Sequence, residues 1–261
     1  MFRGSKYLLL ALTVLLLGAC ASRKPENKQG QAASVIEFLF PSKEPSTPVG
    51  LATIAELKVP LRIGLVFVPD TADPRFRITE ADRQHLLARM RQAFERYPFV
   101  GTIEMVPSSY LQPGGSFDNI DRVAKLLSLE CVVLLSYDQM QFADSSGWSL
   151  LYWTGIGVYV VPGDRYDVLT SVEAAVFDVR SHKLLMRAGG TSQVKGAATA
   201  MGFSEAAREA RGGGFREAVE KLIPNLHAEV KAFRERAPGD RSIRLDLPPG
   251  YDPNAVKPQA R

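Results

Sequence analysis

Two cysteines and three histidines are the residues of this chain best suited to covalent, metal or acid–base chemistry, and their spacing narrows all three. His85, His182 and His227 lie far apart and show no metal-ligand spacing, so no metal site is expected. No G-x-S-x-G, H-E-x-x-H or S-x-x-K set is present. Ser181-His182 has only Asp178 as a near carboxylate, and a hairpin turn accounts for all three polar residues. The glycines of Pro107–Gly115 lack the Lys-Ser/Thr of a phosphate-binding loop and read as a turn before a helix cap, while Gly212–Gly214 follow no strand. No cofactor is implied. Cys131 sits in the apolar run CVVLL and reads as a core thiol. That leaves Cys20, which follows Leu17-Gly18-Ala19. Small residues before a cysteine let a peptidase reach the backbone, and only a thiol supplies the nucleophile for a thioether.

The segment before Cys20 fits that chemistry. Arg3 and Lys6 are cationic, and Tyr7–Leu17 is apolar but shorter than the roughly twenty residues that span a bilayer. Together these features resemble the lipobox of bacterial lipoproteins. There the cysteine takes a diacylglyceryl group, the chain is cut before it, and the new amine is acylated. The expectation is a signal peptide over 1–19 and a membrane contact made through acylated Cys20. Two or three acyl chains anchor stably where one does so only marginally. Ala21 in place of Asp, by analogy with enteric sorting, favours the outer membrane, with the body facing the periplasm.

Composition agrees with a folded exported body. The 261 residues are 46% hydrophobic and 23% charged, which excludes a disordered, collagen-like or coiled-coil chain. The net charge of +4 falls to +2 once Arg3 and Lys6 are removed, and the remaining cations are scattered among acids, so no nucleic-acid partner is expected.

Residues 20–34 are polar and read as a lipidated flexible tether, while 238–261 hold five prolines and read as a disordered tail. Between them, 35–237 suffice for one α/β (α+β) domain with a mixed sheet. Leu61–Val68 predicts a strand covered on both faces, Thr79 caps a helix over 80–97, and Phe99–Val106 is a second strand. A helix over 118–129 and a strand over Cys131–Phe142 complete an N-terminal β-α-β-α-β half. An antiparallel meander follows, from runs 148–161, 166–179 and 183–194. The chain then turns helical over 204–210 and 215–236, interrupted by Gly212–Gly214 and kinked at Pro224.

Both tryptophans fall in Trp148–Val161. With period two, Trp148 and Tyr152 share one face, and Trp153 and Tyr159 the other. A central strand covered on both sides is one account, an interaction patch of Trp148, Tyr152, Trp153 and Tyr159 is a second, and a membrane hairpin is a third.

Several stretches together resemble the rhombotarget lipoprotein family: Ser34–Pro41 (SVIEFLFP), Pro60–Pro69 (PLRIGLVFVP), Ser109–Gly115 (SYLQPGG), Leu135–Phe142 (LSYDQMQF), Tyr152–Thr154 (YWT), Tyr159–Gly163 (YVVPG) and Gly190–Gly196 (GTSQVKG). The resemblance covers roughly residues 17–235. It implies location and company, beside the rhombosortase processing system, rather than a mechanism. At fold level, Ile63–Asp70, Leu129–Ser136 and Val176–Leu185 are similar to envelope lipoproteins of the curli-secretion-channel and Tol N-terminal-domain type. Such domains act as adapters or assembly parts. The expected function is therefore a non-enzymatic periplasmic adapter or assembly factor with an envelope or secretion partner, and the chain leaves room for a homo-oligomer. The alternative is an envelope hydrolase or processing factor with a scattered active site.

Overall fold

The computed structural model describes residues 27–32, 34–41, 54–69, 78–145, 164–198 and 202–252. One mixed sheet carries the α+β fold. Its central path runs β4 (Val100–Met105), β3 (Leu61–Phe67), β5 (Cys131–Ser145), β6 (Asp164–Asp178), β7 (Leu184–Ala198). β3 is parallel to both β4 and β5, and β6 is antiparallel to both β5 and β7. The expected β-α-β-α-β half is present, with α2 (Glu80–Phe94) joining β3 to β4 and α3 (Ser116–Leu127) joining β4 to β5. Thr79 caps α2 as its sequence predicts, its hydroxyl accepting from the Asp82 amide at 3.1 Å.

Parallel strands need cover on both faces, and two apolar clusters provide it. On one face, Leu86, Leu87, Met90 and Phe94 of α2 and Phe215, Leu222 and Leu226 of α4 (Phe203–Arg236) pack on Leu61, Ile63, Leu65 and Val133. On the other, Phe38 of α1 (Val35–Leu39) and Ile120 and Val123 of α3 pack on Val66, Val68, Val132 and Leu134. Alternation along β3 and β5 sends successive side chains to opposite clusters, hence the near-continuous apolar runs.

Four features depart from the sequence reading. First, residues 27–32 of the expected tether form β1 (Asn27–Ala32), which pairs antiparallel with Asp138–Ala143 of β5. β3 pairs only with Cys131–Leu135, so the rest of that edge of β5 offers unsatisfied backbone groups, and a polar strand can satisfy them without burying apolar side chains. Second, part of the expected tail is ordered. A 3₁₀ turn (Ala237–Gly239) leads into β8 (Ile243–Asp246), which pairs parallel with β2 (Ala55–Lys58). Ile243 and Leu245 pack on the first cluster, an alternation that the surrounding prolines obscure. Third, β6 and β7 are the second and third runs expected of the meander, and β5 joins them by pairing directly with β6. The expected run Trp148–Val161 lies outside the described residues. Fourth, α4 is continuous from Phe203 to Arg236 through Gly212–Gly214, against the expected interruption, with Pro224 inside it.

Of these glycines, Gly214 has a packing reason. A Cβ on Gly214 would lie 2.8 Å from Thr170 Oγ1, and its carbonyl accepts from Ser192 Oγ at 2.7 Å. Gly190 of β7 makes the reciprocal allowance, since its Cβ would meet the Ala218 carbonyl and lie 2.6 Å from the Leu222 amide nitrogen. Helix and sheet therefore approach backbone to backbone. Gly213 has nothing within 4 Å of its missing Cβ. Gly190→Ala is therefore expected to destabilise the fold by roughly 3 kcal/mol through overpacking. Gly213→Ala should stabilise it by about 0.5–1 kcal/mol through helix propensity. Urea denaturation of the two variants checks both signs.

Candidate functional site

β5 is 15 residues long, yet only its first five pair with β3. Beyond Leu135 it continues with β6 and β7, and with β1 on its other edge, as an extension that the first half of α4 covers on one side. Under the helix, alternation places Gln139, Gln141, Thr170 and Ser192, all buried. They are bonded rather than greasy. Gln139 Nε2 donates to Thr170 Oγ1 at 2.8 Å, and Arg211 donates to Gln141 Oε1 at 2.7 Å.

On the opposite face α1 and α3 reach only as far as Ala175 and Phe177. Beyond them, Ser136 is buried and lines one depression with Val35 and Ile36 of α1, Asp138, Ser171 and Glu173, while Met140 and Leu169 lie outside that depression. Met140 and Leu169 are cross-strand partners and are 47% and 36% exposed, a lone apolar pair in a polar field. Two depressions of about 430 and 250 Å³ border this face and share Asp138 and Ser171. Burial holds the Asp138 carboxyl above the usual carboxylate range, against a weaker opposing bond from the Gln139 backbone. Glu173 faces Arg187 at 3.8 Å, and Asp167 accepts from Gln193 at 2.8 Å. An apolar centre with a polar, partly paired rim is the composition of a protein contact surface.

Cys20 and the aromatic residues Trp148, Tyr152, Trp153 and Tyr159 all lie outside the described residues. The places where their segments leave the described structure are nonetheless known. Asn27 of β1 is paired with Ala143, and residues 146–163 join Ser145 to Asp164. Both segments therefore depart from the same end of the sheet. Seven residue steps separate Cys20 from Asn27, a reach of at most about 25 Å.

The candidate chemical groups fall elsewhere. His85 is exposed on α2. His182 sits in the β6–β7 turn at φ 57°, stacked on Phe117 with ring centroids 4.3 Å apart, its Nε2 2.9 Å from Asp121 Oδ1. Asp121, 61 positions away on α3, is the carboxylate that sequence proximity missed; the turn sets it beside His182. Asp178 instead accepts the Ser181 backbone amide at 2.8 Å and also its hydroxyl. No serine, threonine or cysteine among the described residues bonds the His182 ring, so the pair is an oriented imidazole without a nucleophile. His227 Nδ1 is 2.6 Å from the Tyr97 hydroxyl and stacks on Phe94. Cys131 is 1% exposed, and burial, with Asp178 and Glu130 nearby, pushes its thiol far above the ordinary range, which keeps it protonated and unreactive. Among the described residues no group of three His, Cys, Asp or Glu could hold a metal ion. No described helix is long and apolar enough to cross a membrane.

Two opposite pH signatures follow. Burial, then Arg96, lowers the His227 pKa. The unfolded chain therefore binds the proton first, and this site's stability is complete above about pH 6.5 and lost as pH falls through the folded value. Melting temperature should drop on acidification below about pH 6.5, and His227→Phe, which keeps the stack on Phe94, should flatten that drop. Asp138 has the reverse sign: its raised pKa contributes stability below about pH 4 that is lost as pH rises through the folded value. Asp138→Asn is expected to raise the melting temperature at neutral pH.

No family model matches the chain, and no curated protein matches it. Among solved structures it is similar to a protein from Helicobacter pylori described as a neuraminyllactose-binding hemagglutinin homolog, with 8% identity and a TM-score of 0.37 over 71% of this chain and 96% of that one. It is also similar to PelC dodecamers from Paraburkholderia phytofirmans in two crystal forms. One shares 12% identity with a TM-score of 0.28 over 66% of this chain and 93% of its own. The other shares 11% with a TM-score of 0.27 over 76% and 98%. At such scores the likeness carries no inference about this chain.

Proposed function

We propose that this chain is a lipid-anchored lipoprotein of the outer membrane, facing the periplasm, that acts as a non-enzymatic adapter or assembly factor of the cell envelope. Its resemblance to rhombotarget lipoproteins puts it in the company of rhombosortase-type export or processing. The observation that carries the reading is the open face around Met140 and Leu169, at the end of the sheet from which the segment bearing Cys20 departs. An acylated Cys20 would hold that end within about 25 Å of the leaflet. A partner docked on the open face would then be an envelope protein met at the membrane surface. Proximity of this kind raises effective concentration, so a modest contact area suffices.

The hydrolase reading has one observation in its favour, the His182–Asp121 pair. Its solvent exposure, 30% and 44%, and the turn of Ser181 toward Asp178 give that pair the simpler role of pinning the β6–β7 turn to α3.

The adapter reading is tested by crosslinked pull-down from envelopes. Wild type should fractionate with membranes and capture a discrete partner. Cys20→Ser should lose membrane retention of the processed chain. Met140→Lys with Leu169→Glu, an oppositely charged cross-strand pair, should lose the partner while melting as wild type does, because exposed substitutions change stability by only about 0.5 kcal/mol. An unmodified amino terminus by mass spectrometry, or partner capture indifferent to the double variant, overturns the reading. Size measurement in detergent reports whether the adapter is a homo-oligomer.

A further inference from the structure

At the opposite end of the sheet from Asn27 lies a cavity of about 590 Å³, enclosed by the starts of β3 and β5, the last turns of α4 and the β2–β8 ribbon. Leu57, Leu61, Ile63, Val176, Val230 and Phe233 line it, all of them 9% exposed or less. Side chains this thoroughly withdrawn from water normally close upon one another, since protein interiors leave few voids larger than a water molecule. Here they stop short and leave a hollow of the size that holds a small organic molecule, within the roughly 300–1,000 Å³ common to ligand sites. The apolar walls offer a ligand nothing but contact area.

The mouth is different. Lys231, Arg234 and Glu235 of α4 and Tyr251 surround it. Lys231 is exposed and forms no ion pair among the described residues, and Arg234 stands one helical turn from it. Arg236, next along the helix, lies over the Phe233 ring and donates to the Leu185 carbonyl at 2.7 Å. Burial raises the Tyr251 pKa, which keeps the phenol a hydrogen-bond donor. Among the lining residues two cations stand against one acid, beside a phenol donor, so the mouth favours a negative group.

We infer that this cavity binds a single-chain anionic amphiphile, with its acyl chain among Leu61, Ile63, Val230 and Phe233 and its acidic head group at Lys231. The chain's own flanking segment is a poorer occupant: residues 253–261 (PNAVKPQAR) bring two further cations to a cationic mouth and little apolar bulk. The anchor is also distant. Twelve residues of β5, about 40 Å of strand, separate Cys131 in the cavity wall from Ala143 opposite Asn27. The inference rests on the cavity alone and stands whether or not the open face binds a partner.

The experiment uses the full chain in its own membranes and a photoreactive diazirine derivative of palmitate, with crosslinks mapped by mass spectrometry. Label is expected on peptides holding Leu57–Ile63 and Val230–Ala237. Unlabelled palmitate and lysophosphatidylglycerol should both compete, the one supplying a carboxylate and the other a phosphodiester, while neutral monoacylglycerol should not. Preference between the two acids identifies the head group. Lys231→Glu should weaken labelling roughly three- to fivefold, the loss of one exposed charge contact. Val230→Phe, which fills the hollow, should remove the cavity label with its melting transition retained. Should that variant fail to fold, Lys231→Glu and the competition series still decide. Label spread over the surface in proportion to exposure, equal competition by the neutral lipid, or label that appears only after truncation behind Asp252 would each overturn the inference.

Discussion

Everything in this fold depends on the pairing of β5 with β6. Fifteen consecutive residue pairs, from Cys131 opposite Asp178 to Ser145 opposite Asp164, hold one register without a break. A slip of a single residue would turn every side chain to the other face. The penalty would be paid twice over, because the two halves of β5 obey different rules. From Cys131 to Leu135 the strand lies between two apolar clusters and must be greasy on both sides. From Gln139 onward α4 covers one side with buried Gln139 and Gln141 under it, and Met140 on the other side is exposed.

That change along one strand organises the surroundings. β3 guards the first half of the β5 edge, and β1 guards most of the second. α4 spans both halves, packing Phe215, Leu222 and Leu226 on the apolar half and bonding through Gly214 and Arg211 to the polar half. Hydrogen bonds between helix and sheet demand close approach, and Gly190 and Gly214 supply it. The Arg89–Glu220 pair ties α2 to the same helix. It is exposed and contributes little beside the packing.

The molecule is therefore polar in the functional sense as well as the geometric one. One end carries the open face, the exit of the segment bearing Cys20 and the exit of the aromatic segment. The other carries an apolar hollow with a cationic mouth. The groups best suited to covalent or acid–base chemistry are placed away from both the face and the mouth, or are silenced. Cys131 lies in the cavity wall but is held protonated by burial. His227 is locked between Phe94 and Tyr97, and His182 is spent on a turn.

Much of this is legible in the chain itself. Apolar runs such as Leu61–Val68 and Cys131–Leu135 announce strands covered on both faces, and Thr79 announces a helix start, because side-chain periodicity and capping are local physics. The β-α-β-α-β half follows from their order. Cys20 stands out for the same reason: its meaning lies in adjacent residues. What the chain hides are properties of residues that meet only in three dimensions. β1 and β8 look like tether and tail because each is ordered by a partner strand far away, β1 with little apolar content and β8 with only Ile243 and Leu245. Gly212–Gly214 look like a break, whereas the helix runs through them, and at Gly214 the missing side chain makes room for Thr170 of β6 and Ser192 of β7. The Asp121 partner of His182, the open pair Met140–Leu169 and the cavity under β2–β8 have no local signature at all. Local periodicity determined the elements; long-range packing alone decided which faces they hide, which they leave bare and what space remains between them.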